Sequence, residues 1–161
     1  MADTSYLTTV VEDYVRDRLS EEFGQTFRKQ TLPLAPGGRH EFDAVSVDGR
    51  VVASIKAASG LTSGGRVPSG KIKDSLAELY YLSLVDAPVR LLVLTTQAFF
   101  DIFTRRTVGA VAEGIRVSCI PLPTEIQRQV DDVVRVASRE VSPGTAAATI
   151  AGEIETATES R

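Results

Sequence analysis

Apolar and polar positions change their spacing along the chain, and the spacing predicts the secondary structure. Residues 4–23 carry apolar side chains at helical intervals and are followed by Gly24, which predicts a helix that ends there. Residues 26–34 predict a strand, because Pro33 and the turn residues of 36–38 close it. The chain therefore begins with a helix and then enters a sheet.

The stretch EFDAVSVDGRVVASIK, residues 41–56, predicts a β-hairpin with strands at about 41–47 and 50–57. Two apolar-rich runs flank Asp48-Gly49, a dipeptide typical of a two-residue turn in which both central residues take positive φ. Such a loop fixes the register and places Val45 opposite Val52.

The same register places Asp43 opposite Ser54. Side chains alternate between the two faces of a strand, so Lys56 lies on the face of Ser54, while Ala53 and Ile55 point to the other face. The hairpin therefore brings a carboxylate, a hydroxyl and an ammonium together. Either a cross-strand ion pair or a metal-binding Asp beside a catalytic Lys explains this grouping.

The remaining pattern alternates helices and strands, which predicts an α/β domain at residues 1–141. Antiparallel strands followed by β-α-β crossovers give a mixed sheet flanked by helices. Residues 142–161 contain few large apolar side chains and predict a flexible tail. The further elements are a helix at about 69–85, a buried strand at 90–96, a helix at 97–112, a strand at 115–120 and a helix at 124–140.

Composition narrows the possible classes of protein. The 161 residues are 43% hydrophobic and 24% charged, as in an ordinary globular domain. No apolar run is long enough to span a membrane, and the N-terminus lacks the features of a signal peptide, so we expect a cytoplasmic protein without membrane contact. A single cysteine, Cys119, and a single histidine, His40, exclude a thiolate zinc site and an HExxH site.

The net charge of −3 gives no overall attraction to nucleic acid, but the charges are unevenly distributed. The segment from Lys56 to Lys73 contains four basic residues and no acid. Three of these bases, Arg66, Lys71 and Lys73, are candidate contacts to a phosphate backbone. The alternative is that they are solvated surface charges.

Two other features compete for a functional interpretation. Residues 65–72, GRVPSGKI, nearly match the P-loop pattern, but Ile72 replaces the metal-binding Ser or Thr and Pro68 removes an amide. This departure disfavours nucleotide hydrolysis. His40 is a candidate general base, although a lone surface imidazole beside a glutamate is more often incidental.

The order of these residues and elements resembles the PD-(D/E)XK nuclease superfamily, which has the restriction-endonuclease-like fold. The resemblance covers about residues 4–120. It implies that Asp43 is the metal-binding Asp of the motif, that Lys56 is its lysine, and that Glu12 is the acid some members carry on the first helix. The alternative for Glu12 is a solvated surface carboxylate.

The motif departs from the usual pattern at Ser54, which stands where the family has an acid. One subset of the family has Ser at this position and takes the missing carboxylate from the next helix, which makes Glu78 the first candidate and Asp74 the second. The alternatives are a degenerate binding domain and a Glu-to-Ser change that silences the enzyme.

The resemblance implies a Mg²⁺-dependent DNA endonuclease in which Mn²⁺ can substitute. Asp43, a second carboxylate and the carbonyl of Ile55 would bind the metal, while Lys56 would stabilise negative charge and Ser54 could offer only a neutral oxygen. Many enzymes that this resemblance implies act as dimers because two strands must be cut, so a homodimer is a candidate assembly, although no sequence feature establishes it. The candidate dimer surface is the aromatic group Phe99, Phe100 and Phe103.

Overall fold

The computed structural model describes residues 4–58, 60, 62 and 64–140, and this part of the chain forms an α/β fold with a five-stranded mixed sheet and four helices. The predicted order of elements is confirmed. The tail predicted at 142–161 lies outside the described residues. The elements are α1 (Thr4–Phe23), β1 (Phe27–Pro33), β2 (Arg39–Ser46), β3 (Val51–Lys56), α2 (Ser69–Leu84), β4 (Val89–Leu94), α3 (Gln97–Arg106), β5 (Ile115–Cys119) and α4 (Thr124–Glu140).

The strands lie side by side in chain order, and the sheet has a hydrophobic core on each face. β1, β2 and β3 are antiparallel neighbours, whereas β3, β4 and β5 are parallel. On one face α2 and α3 pack, and on the other α1 and α4 pack. β4 supplies Leu92 and Leu94 to the first core and Leu91 and Val93 to the second, which explains its continuous apolar sequence.

The hairpin has the predicted register but a wider turn than predicted. Val45 pairs with Val52, yet β2 ends at Ser46 and β3 begins at Val51. The predicted two-residue turn requires a positive φ at both Asp48 and Gly49. Gly49 takes a φ of 71°, but no described residue other than glycine has a positive φ, so the prediction of a two-residue turn is wrong.

Side-chain hydrogen bonds at Asp48 account for the wider turn. The Asp48 carboxylate accepts from the Ser46 hydroxyl at 2.7 Å and from the Arg50 N–H at 3.0 Å. The Ser46 oxygen then accepts from the Val51 N–H at 2.9 Å. These side chains take the place of ladder bonds, as Asp and Ser do in many turns.

A bulge in β2 separates the two strands of the hairpin at its other end. Arg28 lies opposite Val45, but Gln30 lies opposite Phe42, so two steps along β1 correspond to three along β2. Pairing between β2 and β3 does not continue beyond Ala44 in the described chain. The two strands therefore form a fork, with residues 39–42 of β2 as one arm and residues 54–56 of β3 as the other. Bulges of this kind often lie beside active sites.

The predicted dimer surface is wrong. Phe99 and Phe103 are fully buried in the core under α3, and Phe100 is partly buried against the same core. α3 also ends at Arg106, before the predicted 112. A three-phenylalanine helix has an ambiguous apolar face in sequence, and packing on the sheet decides which side is covered.

The buried side of α2 differs from the side that its sequence predicts. Helical spacing predicts a buried side with Ile72, Leu76, Leu79 and Leu82 or Ser83, but Leu76 is 39% exposed, and the buried residues of α2 are Ser75, Leu79 and Leu82. Within the described ranges, no helix is long and apolar enough to cross a membrane.

Two leucines on α2 provide a matched test of this packing. Leu82→Ala should lower the free energy of unfolding by about 2–5 kcal/mol, because it leaves a cavity in a fully buried site. Leu76→Ala, the same change on the exposed side of the same helix, should cost less than about 1 kcal/mol. Urea unfolding followed by circular dichroism measures both, and equal losses would contradict the orientation of α2.

Candidate functional site

Asp43 lies where the two arms of the fork separate. Its Oδ2 accepts a hydrogen bond from the main-chain N–H of Ile55 at 2.7 Å. The main-chain carbonyl of Asp43 accepts from Nη1 of Arg16 at 2.6 Å. Side chains thus satisfy main-chain groups where the strands part, so the sheet opens without leaving these two groups unpaired.

Glu78 enters the fork from α2 and contacts both arms. Its Oε1 lies 3.1 Å from Nζ of Lys56. Its Oε2 accepts from the Ser54 hydroxyl at 2.9 Å and lies 3.2 Å from Nε2 of His40. An ionised carboxylate only accepts hydrogen bonds, so Nε2 of His40 carries the proton in this contact.

Aromatic neighbours hold the His40 ring. The imidazole stacks on Tyr81 with ring centres 3.8 Å apart and planes 7° apart, and it meets Phe42 edge-on at 4.8 Å. His40 is thus packed rather than an incidental surface imidazole. No local sequence pattern indicates the contact of His40 with Glu78, because 38 residues separate the two.

Glu12 lies beside the fork on the other face of the sheet. It is 7% exposed, so the interpretation as a solvated carboxylate is wrong. Its Oε2 lies 2.9 Å from Nζ of Lys29 on β1 and 3.3 Å from Nη1 of Arg16 on α1. Two cations thus neutralise Glu12.

The carboxyl groups of Asp43 and Glu78 have pKa values shifted in opposite directions. Burial raises the pKa of Asp43, and the negative charges of Glu12 and Glu78 raise it further, against the Ile55 N–H and Lys56. Burial also disfavours the Glu78 anion, but Lys56, Ser54 and His40 outweigh it and hold the pKa of Glu78 below its usual value. The ionised form of Asp43 is therefore disfavoured in the fork, mainly because the carboxyl group is buried.

These carboxylates suit a hard cation, although the arrangement is not a preformed cage. Across the residues that the structure describes, no group of three His, Cys, Asp or Glu side chains is placed to hold a metal ion. Mg²⁺ usually takes only one or two carboxylates and keeps several waters, so Asp43 and Glu78 are the residues that could hold such an ion. The contact between Ile55 and Asp43 is made by the main-chain N–H of Ile55, and its predicted carbonyl role stays a prediction.

The other predicted residues lie outside the fork. Asp74 is exposed, so of the two candidates on α2 only Glu78 contacts Lys56. The bases Arg66, Lys71 and Lys73 are exposed in the loop before α2 and in its first turns. β3 ends at Lys56 and α2 begins at Ser69, so strand and helix are not joined directly as a P-loop requires.

Comparison of the chain with protein-family models, with curated proteins and with solved structures finds no match in any of the three. The functional argument therefore rests on the geometry and chemistry of the fork.

Removing the charge of Asp43 should stabilise the protein near neutral pH. Asp43→Asn keeps an oxygen for the Ile55 N–H and removes a carboxylate that is partly desolvated and lies near Glu12 and Glu78. We expect the free energy of unfolding to rise by about 1 kcal/mol, a usual size for a stabilising substitution. Because the folded pKa of Asp43 is raised, the gain should shrink as the pH falls through that pKa and wild-type Asp43 takes up a proton.

Glu78→Gln should show the opposite sign, because the folded pKa of Glu78 is lowered. The stability that Glu78 contributes is present above its unfolded pKa and is lost as the pH falls through its folded pKa. At pH 7 the free energy of unfolding of this variant should be about 1 kcal/mol lower than that of the wild type, because Lys56 loses its partner. Urea unfolding from pH 3 to 8 in chelator measures both variants, and shifts of the same sign would contradict the assigned electrostatics.

Proposed function

We propose that this chain is a Mg²⁺-dependent endonuclease that hydrolyses DNA phosphodiester bonds, with a restriction-endonuclease-like fold and Mn²⁺ as a substitute metal. The observation that carries the proposal is the meeting of Asp43, Lys56 and Glu78 at the fork. These residues come from β2, β3 and α2, and the predicted resemblance to the PD-(D/E)XK superfamily needs this combination of two carboxylates and one lysine.

The contact between Ser54 and Glu78 supports a carboxylate supplied from the helix. Ser54 is fully buried, and its hydroxyl donates to Glu78 at 2.9 Å. A serine is short enough to leave room for the Glu78 carboxylate beside the strand. In this proposal Glu78 takes the role of the acid that the usual motif carries at position 54, and Ser54 orients it.

The residues of the fork can divide the work of phosphodiester hydrolysis. Asp43 and Glu78 bind Mg²⁺, which when bound supplies a Lewis acid that neutralises charge on the phosphate. Lys56 lies near both carboxylates and stabilises the negative charge of the attacking oxygen and of the transition state. Glu12 lies near enough to raise the pKa of Asp43, so it adds to the field that favours a cation. Its direct metal ligation stays a prediction.

Exposed bases beside the fork give DNA a place to bind. Arg66 lies in the loop that leaves β3, and Lys71 and Lys73 lie at the start of α2. The first turn of α2 contains no acid, so the positive end of the helix is unopposed there. These residues can hold the phosphate backbone while Asp43 and Lys56 act on one bond.

A nuclease-fold module that binds DNA or protein without cutting is the second candidate. The observation that favours it is the full engagement of Glu78, whose two oxygens already contact Lys56, Ser54 and His40. If Glu78 cannot exchange Lys56 for a metal, Asp43 alone binds Mg²⁺ too weakly for catalysis.

Plasmid cleavage in Mg²⁺ or Mn²⁺ separates the two candidates. Asp43→Ala, Lys56→Ala and Glu78→Gln should each lower the rate at least about 100-fold, because each removes charge that stabilises the transition state. Asp74→Asn is the matched control on α2, since it removes an exposed carboxylate one turn from Glu78, and it should cut at the wild-type rate. Wild-type cleavage by Glu78→Gln would overturn the helix-supplied carboxylate, and activity only in Ser54→Glu would establish a silenced nuclease.

The salt dependence of DNA binding tests the exposed bases separately from cleavage. In Asp43→Asn, with chelator present, each change of Arg66, Lys71 or Lys73 to Ala should reduce the slope of log affinity against log salt by about 1. Arg128→Ala, which removes an exposed base on α4, should leave the slope unchanged. Fluorescence anisotropy of a labelled duplex measures the slope, and no change in any variant would assign these bases to solvated surface.

A further inference from the structure

The contacts of Glu78 divide its two carboxylate oxygens between different kinds of partner. Oε1 pairs with the flexible ammonium of Lys56, which is partly exposed. Oε2 is held by Ser54 and His40, whose side chains are fixed by their surroundings. A cation entering the fork can therefore replace Lys56 at Oε1 while Oε2 keeps both of its partners.

His40 differs from the other two partners because it stands on the opposite arm of the fork. Ser54 and Lys56 belong to β3, whereas His40 belongs to β2, which no longer pairs with β3 at that level. The hydrogen bond from His40 therefore connects the separated arm to α2 through Glu78.

The His40 ring has little freedom to leave this position. Tyr81 lies one turn after Glu78 on α2, and its ring is stacked nearly parallel to the imidazole. Phe42, which is fully buried, packs against the imidazole edge-on. A hydrogen-bond donor that is already fixed reduces the entropy that the Glu78 side chain loses when it is ordered for metal binding.

We propose that His40 is a positioning residue for divalent-cation binding, and that it holds Oε2 of Glu78 so that Oε1 is available to Mg²⁺ or Mn²⁺. This inference rests on the function proposed above. It assigns His40 no contact with the metal or with DNA. Residues that orient a metal ligand in this way typically contribute about 10-fold to 100-fold to metal affinity.

Binding of Mn²⁺ to the full chain tests this role without measuring cleavage. Electron paramagnetic resonance of free Mn²⁺ gives the dissociation constant. His40→Phe keeps a ring that can stack on Tyr81 but loses the donor, and it should weaken Mn²⁺ binding about 10-fold to 100-fold. His40→Gln places an amide N–H near the position of Nε2 and should restore the affinity to within about 3-fold of wild type.

A second pair of variants tests the stack. Tyr81→Phe keeps the ring and should bind Mn²⁺ as wild type does, whereas Tyr81→Leu removes the stacking surface and should bind it more weakly. If His40→Phe fails to fold, as judged by circular dichroism, the Tyr81 pair decides the matter. Equal affinities in Tyr81→Leu and Tyr81→Phe would then overturn the proposal.

The outcomes distinguish this inference from the proposed function. If wild type binds Mn²⁺, Glu78→Gln does not, and folded His40→Phe binds it as wild type does, the metal site stands and the role of His40 is overturned. If wild type binds no Mn²⁺, both the metal-dependent function and the role of His40 are overturned. Weak binding by His40→Phe with rescue by His40→Gln supports both.

Discussion

The hydrogen bond from the Ile55 main chain to the Asp43 carboxylate is the interaction on which the site depends. It replaces a ladder bond at the point where β2 leaves β3, so the strands separate without an unsatisfied N–H. The separation in turn makes room for the Glu78 side chain from α2, which contacts both arms. Without the bulge in β2, continued pairing would close this space.

The three acids of the site differ in the charged partners that they contact. Lys29 and Arg16 neutralise Glu12, and Lys56 pairs with Glu78. Asp43 has hydrogen bonds but no comparable ion pair in the described chain, and its raised pKa reflects burial and the two neighbouring acids. In the proposed function a divalent cation would offset the cost of burying the Asp43 carboxylate, so the proposed metal binding and the predicted stability cost of Asp43 have one physical origin.

Local sequence rules predicted a large part of the fold and some of the site. Period-two alternation and a turn signal were sufficient to place Val45 opposite Val52 and to bring Asp43 near Lys56. Some features escaped these rules, because they depend on side-chain hydrogen bonds within a turn or on tertiary packing. The Asp48 turn depends on side-chain hydrogen bonds, the burial of Phe99 and Phe103 depends on which face of α3 meets the sheet, and the contact of His40 with Glu78 joins residues far apart in sequence.

A crystal structure with Mn²⁺, located by its anomalous scattering, tests the central claim most directly. The account predicts one Mn²⁺ peak within about 2.5 Å of oxygens of both Asp43 and Glu78, with Lys56 displaced from Glu78 and with His40 still at Oε2. A fork without Mn²⁺ at saturating concentration, with the Lys56–Glu78 pair intact, would contradict it.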